Sequence, residues 1–313
     1  MKRLFILIVA AALALSLCAC GEREPEGQDG RLSIVTTVFP AYDFARQVAG
    51  DQAKVTLLVP PGAETHSFEP TAQDMRRIQS CDLLICNGGE SEVWLETLLA
   101  GQETEIPSLV MLECVDALEE EIKEGMQETE EEGAEDETEY DEHVWTSPVN
   151  AQRICRAIAE ALADRDEEHG DLYRANCEAY CEKLAELDAA FRAVVEQGSH
   201  STVIFADRFP VRYFVEEYGL DYFAAFPGCA EDTEPAAGTV AFLIDRVREE
   251  QIPAVFYIEF SNEKMADVIC EDTGCKKLLF HSCHNVTADQ LKAGISYYEL
   301  MLGNVESLRE ALA

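Results

Sequence analysis

The sequence predicts an α/β protein of two lobes, each a mostly parallel sheet flanked by helices, joined by a long rigid interdomain helix. Three observations lead to this prediction. Short apolar runs alternate with helix-like segments early in the chain, the same alternation returns late in the chain, and a long amphipathic stretch lies between them. Alternation of this kind is typical of parallel sheets with helices on both faces.

The first lobe begins with "LSIVTTVFP", an apolar and β-branched run that predicts a strand. The next segment, "AYDFARQVAG", has helical spacing and stops at Gly50. Three more strands are predicted in "KVTLLV", "DLLICNGG" and "SLVML". Helices are predicted between them in "TAQDMRRIQSC" and "SEVWLETLLA". The order of these segments predicts a parallel sheet.

The linking region is helical by its apolar spacing. Ser147–Pro148 opens a helix that runs towards Asp164, and a second helix begins near Asp166 and continues to Gln197. The apolar stripe of the second helix consists of Leu184, Leu187, Phe191 and Val194. About 30 helical residues span about 45 Å, which is long enough to join two lobes stiffly.

The second lobe repeats the architecture without a short sequence repeat. Strands are predicted in "STVIFAD", "AVFYIEF" and "KLLFHS", and helices in "VRYFVEEYG", "FLIDRVREE" and "KMADVICEDTG". A final helix is predicted from about Tyr297 to Ala313.

The first residues have the pattern of a targeting segment. Lys2 and Arg3 precede an apolar run from Leu4 to Leu17, which is too short to span a bilayer comfortably. The following "LCACGE" resembles a bacterial lipobox, which implies cleavage before Cys20 and acylation of its thiol. A plain secretory signal is the alternative. We therefore expect a protein at the outer face of the cell membrane, anchored through acyl chains.

The net charge is strongly negative. The chain carries 61 acidic and 24 basic residues, a formal charge of -37, which disfavours nucleic acid as a partner and attracts cations. Carboxylates are densest at residues 113–142. Such a block is either a solvated loop or a low-affinity antenna for divalent cations.

Cysteine usage leaves the redox state open. The chain has 12 cysteines, and Cys18 and Cys20 belong to the export segment. Cys177 and Cys181 lie four residues apart on a predicted helix, where a disulfide does not readily form. The disulfide state of the other cysteines does not follow from their spacing.

Four of the six histidines occupy positions suited to a binding site. His66, His281 and His284 follow predicted strands, and His143 lies between the acidic segment and a helix. Ligands of open α/β sheets gather at the carboxyl ends of strands, and imidazole is a common ligand of Zn²⁺. A single histidine is nevertheless more often a core or surface residue, so these positions alone do not establish a metal site.

Several motifs together resemble a known family. "PPGAETHSFEPT", "DEHVWTSP", "CDLLICNGGESEVWLETLL" and "SYYELMLGNVESLREAL" are similar to segments of the solute-binding lipoproteins of bacterial zinc and manganese ABC importers, the cluster A-I metal-binding family. The resemblance covers nearly all of the chain after the targeting segment. It implies two α/β lobes joined by a rigid helix, and a protein that captures zinc, or manganese as second choice, and delivers it to the membrane subunits of an ABC permease.

The resemblance also implies metal ligands. It assigns two of them to His66 and His143. The third family ligand is a His or Glu after a strand of the second lobe, and here the nearest carboxylate is Asp207, which is alternatively a helix cap or a partner of Arg208. The fourth falls on His281, which we rank above His284 and Glu259. Glu259 is alternatively an acceptor that holds an imidazole.

The resulting domain division follows the predicted elements. We expect a signal peptide at 1–19, a lipidated tether at 20–31, a metal-binding lobe at 32–165 that includes the acidic segment, a linking helix at 166–198 and a second lobe at 199–313. Three imidazoles and one carboxylate favour Zn²⁺ over Mn²⁺.

Competing hypotheses are a metal-dependent hydrolase, with Glu64 or Glu69 as base, an iron–siderophore binder, and a surface adhesin. We expect a carrier and no enzymatic activity, because binding alone explains the tether, the long helix and the histidine positions.

Overall fold

The chain forms two parallel sheets with helices packed around them, which confirms the predicted fold class. A computed structural model describes residues 30–64, 68–101, 105–127, 139–228, 230 and 235–313. Residues Leu32–Ala313 form one compact unit. The predicted targeting segment, including Cys20, lies outside the described residues. Within the described residues, no helix has the length and apolarity to cross a bilayer.

The first sheet has the strand order β2-β1-β3-β4, and all of its pairings are parallel. Its strands are β1 (Leu32–Thr36), β2 (Ala53–Leu57), β3 (Leu83–Cys86) and β4 (Ser108–Val110). Three helices accompany them, α1 (Phe39–Ala49), α2 (Ala72–Ser80) and α3 (Val93–Ala100). Every residue of β3 is buried, as expected for a strand covered on both faces.

Two consecutive helices follow the first lobe, α4 (Pro148–Ala163) and α5 (Gly170–Gln197). The 28 residues of α5 correspond to a length of about 42 Å. Its predicted apolar stripe is buried. The helix begins at Gly170 rather than near Asp166, because Asp166 closes a turn in which its carboxylate accepts hydrogen bonds from His169 and Tyr173.

The second sheet has the strand order β6-β5-β7-β8, the same topology as the first. Its strands are β5 (Thr202–Arg208), β6 (Asp221–Phe226), β7 (Ala254–Tyr257) and β8 (Lys276–Leu279). Its helices are α6 (Arg212–Tyr218), α7 (Ala237–Glu250), α8 (Lys264–Thr273), α9 (Ala288–Ala293) and α10 (Tyr297–Ala311). Strand β6 was not predicted, because two alanines in "DYFAAF" weaken its β-branched signal.

A buried carboxylate connects the helices that lie between the sheets. Asp43 of α1 accepts a hydrogen bond from the Tyr180 hydroxyl of α5 at 3.1 Å and from the backbone N–H of Tyr297, the first residue of α10, at 2.9 Å. Arg46 neutralises this carboxylate at 2.8 Å. Phe44 packs edge-on against Tyr297. These contacts give the two lobes one continuous core.

All nine described cysteines are free thiols. The Sγ atoms of Cys177 and Cys181 lie 3.8 Å apart on one turn of α5, beyond bonding distance. The regular helix therefore keeps these two thiols unbridged, as their spacing predicts.

Burial of Glu92 makes the stability of the fold depend on pH. Its Oε2 accepts the Gly88 N–H at 2.8 Å, and burial raises the pKa of its carboxyl to about 7. The folded state therefore holds a proton that the unfolded state releases near pH 4.5, so stability falls as the pH rises from about 4.5 to 7.

Glu92→Gln is expected to remove this dependence, because an amide keeps the acceptor without the charge. We expect the variant to exceed the wild type by about 3 kcal/mol in free energy of unfolding at pH 8 and to match it at pH 4.5. Urea denaturation at both pH values measures this. Equal free energies of unfolding for the variant and the wild type at pH 8 would show that burying the Glu92 carboxylate does not destabilise the fold.

Candidate metal centre

A small cavity lies where loops of the two lobes meet. Its volume is about 30 Å³. The first lobe contributes Ala63 and Glu64, which follow β2. The described lining also includes His143, Arg208, Gly228, Glu259, Ser282, His284 and Asn285. A space of this size holds one or two atoms the size of a water oxygen, so it suits an ion.

His143 is fully buried at the end of the acidic segment. The Asp141 Oδ1 atom accepts its backbone N–H at 2.8 Å and lies 3.2 Å from its ring Nδ1. With the Nδ1 proton directed to this carboxylate, Nε2 carries the lone pair of the neutral ring. Burial by itself lowers the pKa of His143, but the carboxylates of Asp141, Glu142 and Glu120 raise it above its usual value.

Contacts with several neighbouring elements hold the segment around His143 in place. Tyr213 of α6 donates its hydroxyl to the Asp141 carbonyl at 2.8 Å. Trp145 donates its indole N–H to the Ser282 carbonyl at 2.8 Å. Gly228 lies behind the imidazole, where a Cβ atom would approach the His143 Cε1 to 3.1 Å. The ring therefore has a fixed position against the second lobe.

His284 faces His143. The two ring centroids are 5.2 Å apart with an interplanar angle of 87°. Zn–N bonds measure about 2.0–2.1 Å, so two imidazoles bound tetrahedrally to one zinc ion have centroids about 5 Å apart. The observed centroid separation of 5.2 Å agrees with this distance. The separation permits one shared ion, and it is also close to the distances at which both rings pack against Trp145.

Glu259 lines the cavity and holds the loop that carries His284. Its carboxylate accepts the Ser282 N–H at 2.7 Å and the Ser282 hydroxyl at 2.6 Å. It also accepts the His284 N–H at 3.3 Å. Both oxygens are thus engaged in fixing residues 282–284.

His281, which the sequence ranked first, is not among the described lining residues, although its Nδ1 atom lies 3.5 Å from Oε1 of Glu259, which lines the cavity. Its ring Nδ1 accepts the Cys283 N–H at 3.0 Å, which leaves the ring proton on Nε2. Asn304 of α10 clamps its backbone, accepting its N–H at 2.7 Å and donating to its carbonyl at 2.8 Å. His281 therefore positions the loop, and His284, three residues later, lines the cavity instead.

Asp207 also lies away from the small cavity. Its two oxygens accept the backbone N–H groups of Arg208 at 2.8 Å and Ile258 at 3.3 Å, and burial raises the pKa of its carboxyl. It lines a neighbouring cavity of about 470 Å³. The adjacent Arg208 lines this neighbouring cavity as well as the small one. Periodicity along β5 gives no signal for Arg208, because the strand register is irregular between Phe205 and Arg208.

The remaining sequence candidates divide between three places. Glu64 lines the cavity and pairs with Arg208 at 3.2 Å. Glu69 lines a separate groove beside α2. His66 lies outside the described residues. In the part of the chain that the structure describes, no three His, Cys, Asp or Glu side chains converge on one ion.

The beginning of the acidic segment packs against the second lobe rather than extending into solvent. Gln127 donates its backbone N–H to the Ala225 carbonyl of β6 at 2.9 Å. Glu120 accepts the Gly228 N–H at 3.1 Å. Glu119 and Tyr140 form an antiparallel bridge that brings the chain back to His143. Residues 128–138 lie outside the described residues.

Comparison with known families decides the assignment of the chain. Residues 34–311 match the model of the family described as "Zinc-uptake complex component A periplasmic". The chain belongs to this family. The resemblance predicted from the sequence motifs is confirmed.

The chain covers different shares of the length of its relatives in the zinc-uptake component A family. The chain is 31% identical over 314 residues to the zinc-binding lipoprotein AdcA of Streptococcus pneumoniae (strain ATCC BAA-255 / R6), covering 99% of this chain and 61% of AdcA. It is 28% identical over 326 residues to the high-affinity zinc uptake system protein ZnuA of Bacillus subtilis (strain 168), covering 98% of this chain and 97% of ZnuA. The chain thus spans about three fifths of the pneumococcal relative.

A solved structure of the same family has a matching fold. The Zn(II)-bound ZnuA-like domain of Streptococcus pneumoniae AdcA superposes with a TM-score of 0.75 at 28% identity, covering 90% of this chain and 99% of that domain. Because the superposition covers 90% of this chain, it supports the arrangement of two lobes as well as the fold class.

Asp141→Asn is expected to weaken zinc binding by roughly 10- to 100-fold, because the amide no longer supplies the negative charge that orients and polarises the His143 ring. Competition with a chromophoric zinc chelator measures the affinity. Asp116→Asn is the matched control, because Asp116 is exposed and pairs with Arg153 instead. An unchanged affinity of Asp141→Asn would show that His143 does not bind the ion.

Proposed function

We propose that this protein captures zinc outside the cytoplasm and delivers it to the membrane subunits of an ABC permease. The observation that carries the proposal is the pair of imidazoles, His143 and His284, that face each other across an ion-sized cavity. Membership of the zinc-uptake component A family supports the same function. The names of the pneumococcal and Bacillus subtilis relatives describe zinc binding and zinc uptake.

We propose His66, His143 and His284 as the zinc ligands. His66 is included because of the motif that resembles the family, and the other two because of their geometry. His284 replaces His281, whose Nδ1 is engaged by a backbone N–H. Imidazole nitrogens favour Zn²⁺ over Mn²⁺, which prefers oxygen ligands, so manganese is the second choice.

The position of the cavity explains how binding is signalled. Residues from the first lobe and from the second lobe line it, so one bound ion crosslinks loops of both. Zinc binding stabilises the arrangement in which these loops lie together. The size of this effect is set by how much more tightly zinc binds that arrangement than one in which the loops are apart. The permease then recognises the closed form. The role requires no reaction at the metal, and we assign no catalytic residue.

The size of the cavity favours a carrier over the competing functions. A hydrolase must admit an organic substrate beside the metal, and an iron–siderophore binder needs a wide cleft. A volume of about 30 Å³ is much too small for an iron–siderophore complex. A carrier is expected to retain about one zinc ion per chain after dialysis, since one four-ligand site binds one ion. Hydrolysis of an ester or phosphate substrate would instead support the enzyme.

We propose attachment to the outer face of the membrane through an acylated Cys20. The proposal depends on the lipobox-like "LCACGE". The pneumococcal relative is itself named a lipoprotein. An anchor of this kind would keep the captured ion close to the permease.

Histidine substitutions separate the ligand assignments. His143→Ala and His284→Ala are each expected to weaken zinc binding at least roughly tenfold, because each removes one metal–nitrogen bond. His281→Ala is expected to change the affinity much less, because its ring contacts the backbone of its own loop. Isothermal titration calorimetry measures the affinities, circular dichroism monitors the fold, and His200→Ala is the control. Loss of binding in His281→Ala together with retention in His284→Ala would contradict the assignment.

A further inference from the structure

Arg208 is an unexpected lining residue of the small cavity. Its side chain is 15% exposed, and its Nη1 atom lies 3.2 Å from Glu64 Oε2. Its Nε atom is buried and has no hydrogen-bond partner among the described residues. A buried N–H donor without an acceptor is unfavourable, and a guanidinium repels a bare cation nearby. An acceptor that also carries negative charge would relieve both penalties.

The charges around the cavity indicate the same requirement. The ionisable side chains in its described lining, apart from histidines, are Glu64, Glu259 and Arg208. Glu64 already pairs with Arg208 at 3.2 Å, so a cation bound beside the guanidinium would compete with Arg208 for this carboxylate. An anion bound between the cation and Arg208 would relieve that competition. The cavity of about 30 Å³ leaves space for a ligand atom beside an ion.

The described ligands also leave coordination positions to fill. Zinc in proteins is normally four-coordinate, and the described lining of the cavity supplies two imidazoles, those of His143 and His284. Asp207 bonds to backbone N–H groups and lines the neighbouring cavity. Both oxygens of Glu259 hold residues 282–284. The fourth ligand is therefore not supplied by either of these two carboxylates.

We infer that zinc is bound together with a small oxyanion of the carboxylate type, bicarbonate or an organic carboxylate, which joins the ion to the Arg208 Nε–H. This inference rests on the proposed function. A carboxylate offers two oxygens in one plane, which suits a guanidinium on one side and a metal on the other. The neighbouring cavity of about 470 Å³ also contacts Glu64, Arg208 and Phe260, so it offers space for the rest of an organic acid.

The test is a zinc titration in carbonate-free buffer with perchlorate as the only anion, repeated with bicarbonate, acetate, lactate or chloride. Affinities are corrected for zinc–anion complexes in solution. We expect bicarbonate or a carboxylate to raise the affinity of the wild type at least roughly tenfold. Arg208→Gln is expected to bind zinc with no dependence on these anions. Arg212→Gln is the matched control, because the Arg212 Nε atom is also buried without a hydrogen-bond partner among the described residues, but Arg212 does not line the small cavity and pairs with Glu121 and Glu216.

Equilibrium dialysis with labelled bicarbonate and labelled acetate supplies a second readout that does not need a variant. We expect one anion per zinc-loaded wild-type chain and none without zinc. Preference for bicarbonate identifies an inorganic co-ligand, and preference for acetate or lactate an organic one. Zinc binding that is independent of anions, or enhanced by chloride alone, would overturn this inference and leave the proposed function intact. Absence of zinc binding under every condition would instead contradict the proposed function.

Discussion

The hydrogen bond from the Trp145 indole N–H to the Ser282 carbonyl is the contact on which the candidate site depends. It joins the segment that carries His143 to the loop that carries His284. Tyr297 donates its hydroxyl to the Trp145 carbonyl at 2.7 Å, which fixes the same segment to α10. Asn285 donates to the carbonyls of Pro60 and Ala63 at 2.8 and 2.9 Å, which brings the loop after β2 to the same place. Loops that are distant in sequence thus meet through contacts that require no metal.

Such pre-organisation suits a binding protein. Backbone hydrogen bonds and a buried tryptophan hold the histidine loops together, so contacts within the protein contribute to ordering the site. The long helix α5 and the buried Asp43 connect the two lobes through a continuous core. Differences between the ion-free and ion-bound forms are therefore expected to be small movements of packed elements rather than a wide hinge opening.

The sequence predicted the fold better than the site. Hydrophobic periodicity identified seven of the eight strands that the described residues form, and the apolar stripe of α5, because burial of apolar side chains determines both. Within the site, His281 and His284 are both histidines after β8, and periodicity does not distinguish them. The difference arises from one backbone N–H, that of Cys283, which engages the His281 ring. Asp207 and Arg208 are adjacent on β5 and line the larger cavity together, and only Arg208 also lines the small one. Choices of this kind depend on three-dimensional contacts that a single sequence does not record.

The central claim is that His143 and His284 bind the same ion. A crystal structure of the zinc-loaded protein, with anomalous data collected on both sides of the zinc absorption edge, tests it most directly. The account predicts one strong anomalous peak within bonding distance, about 2.0–2.1 Å, of a ring nitrogen of both histidines. A peak bound to His281 or Asp207 and remote from the His143–His284 pair would contradict it.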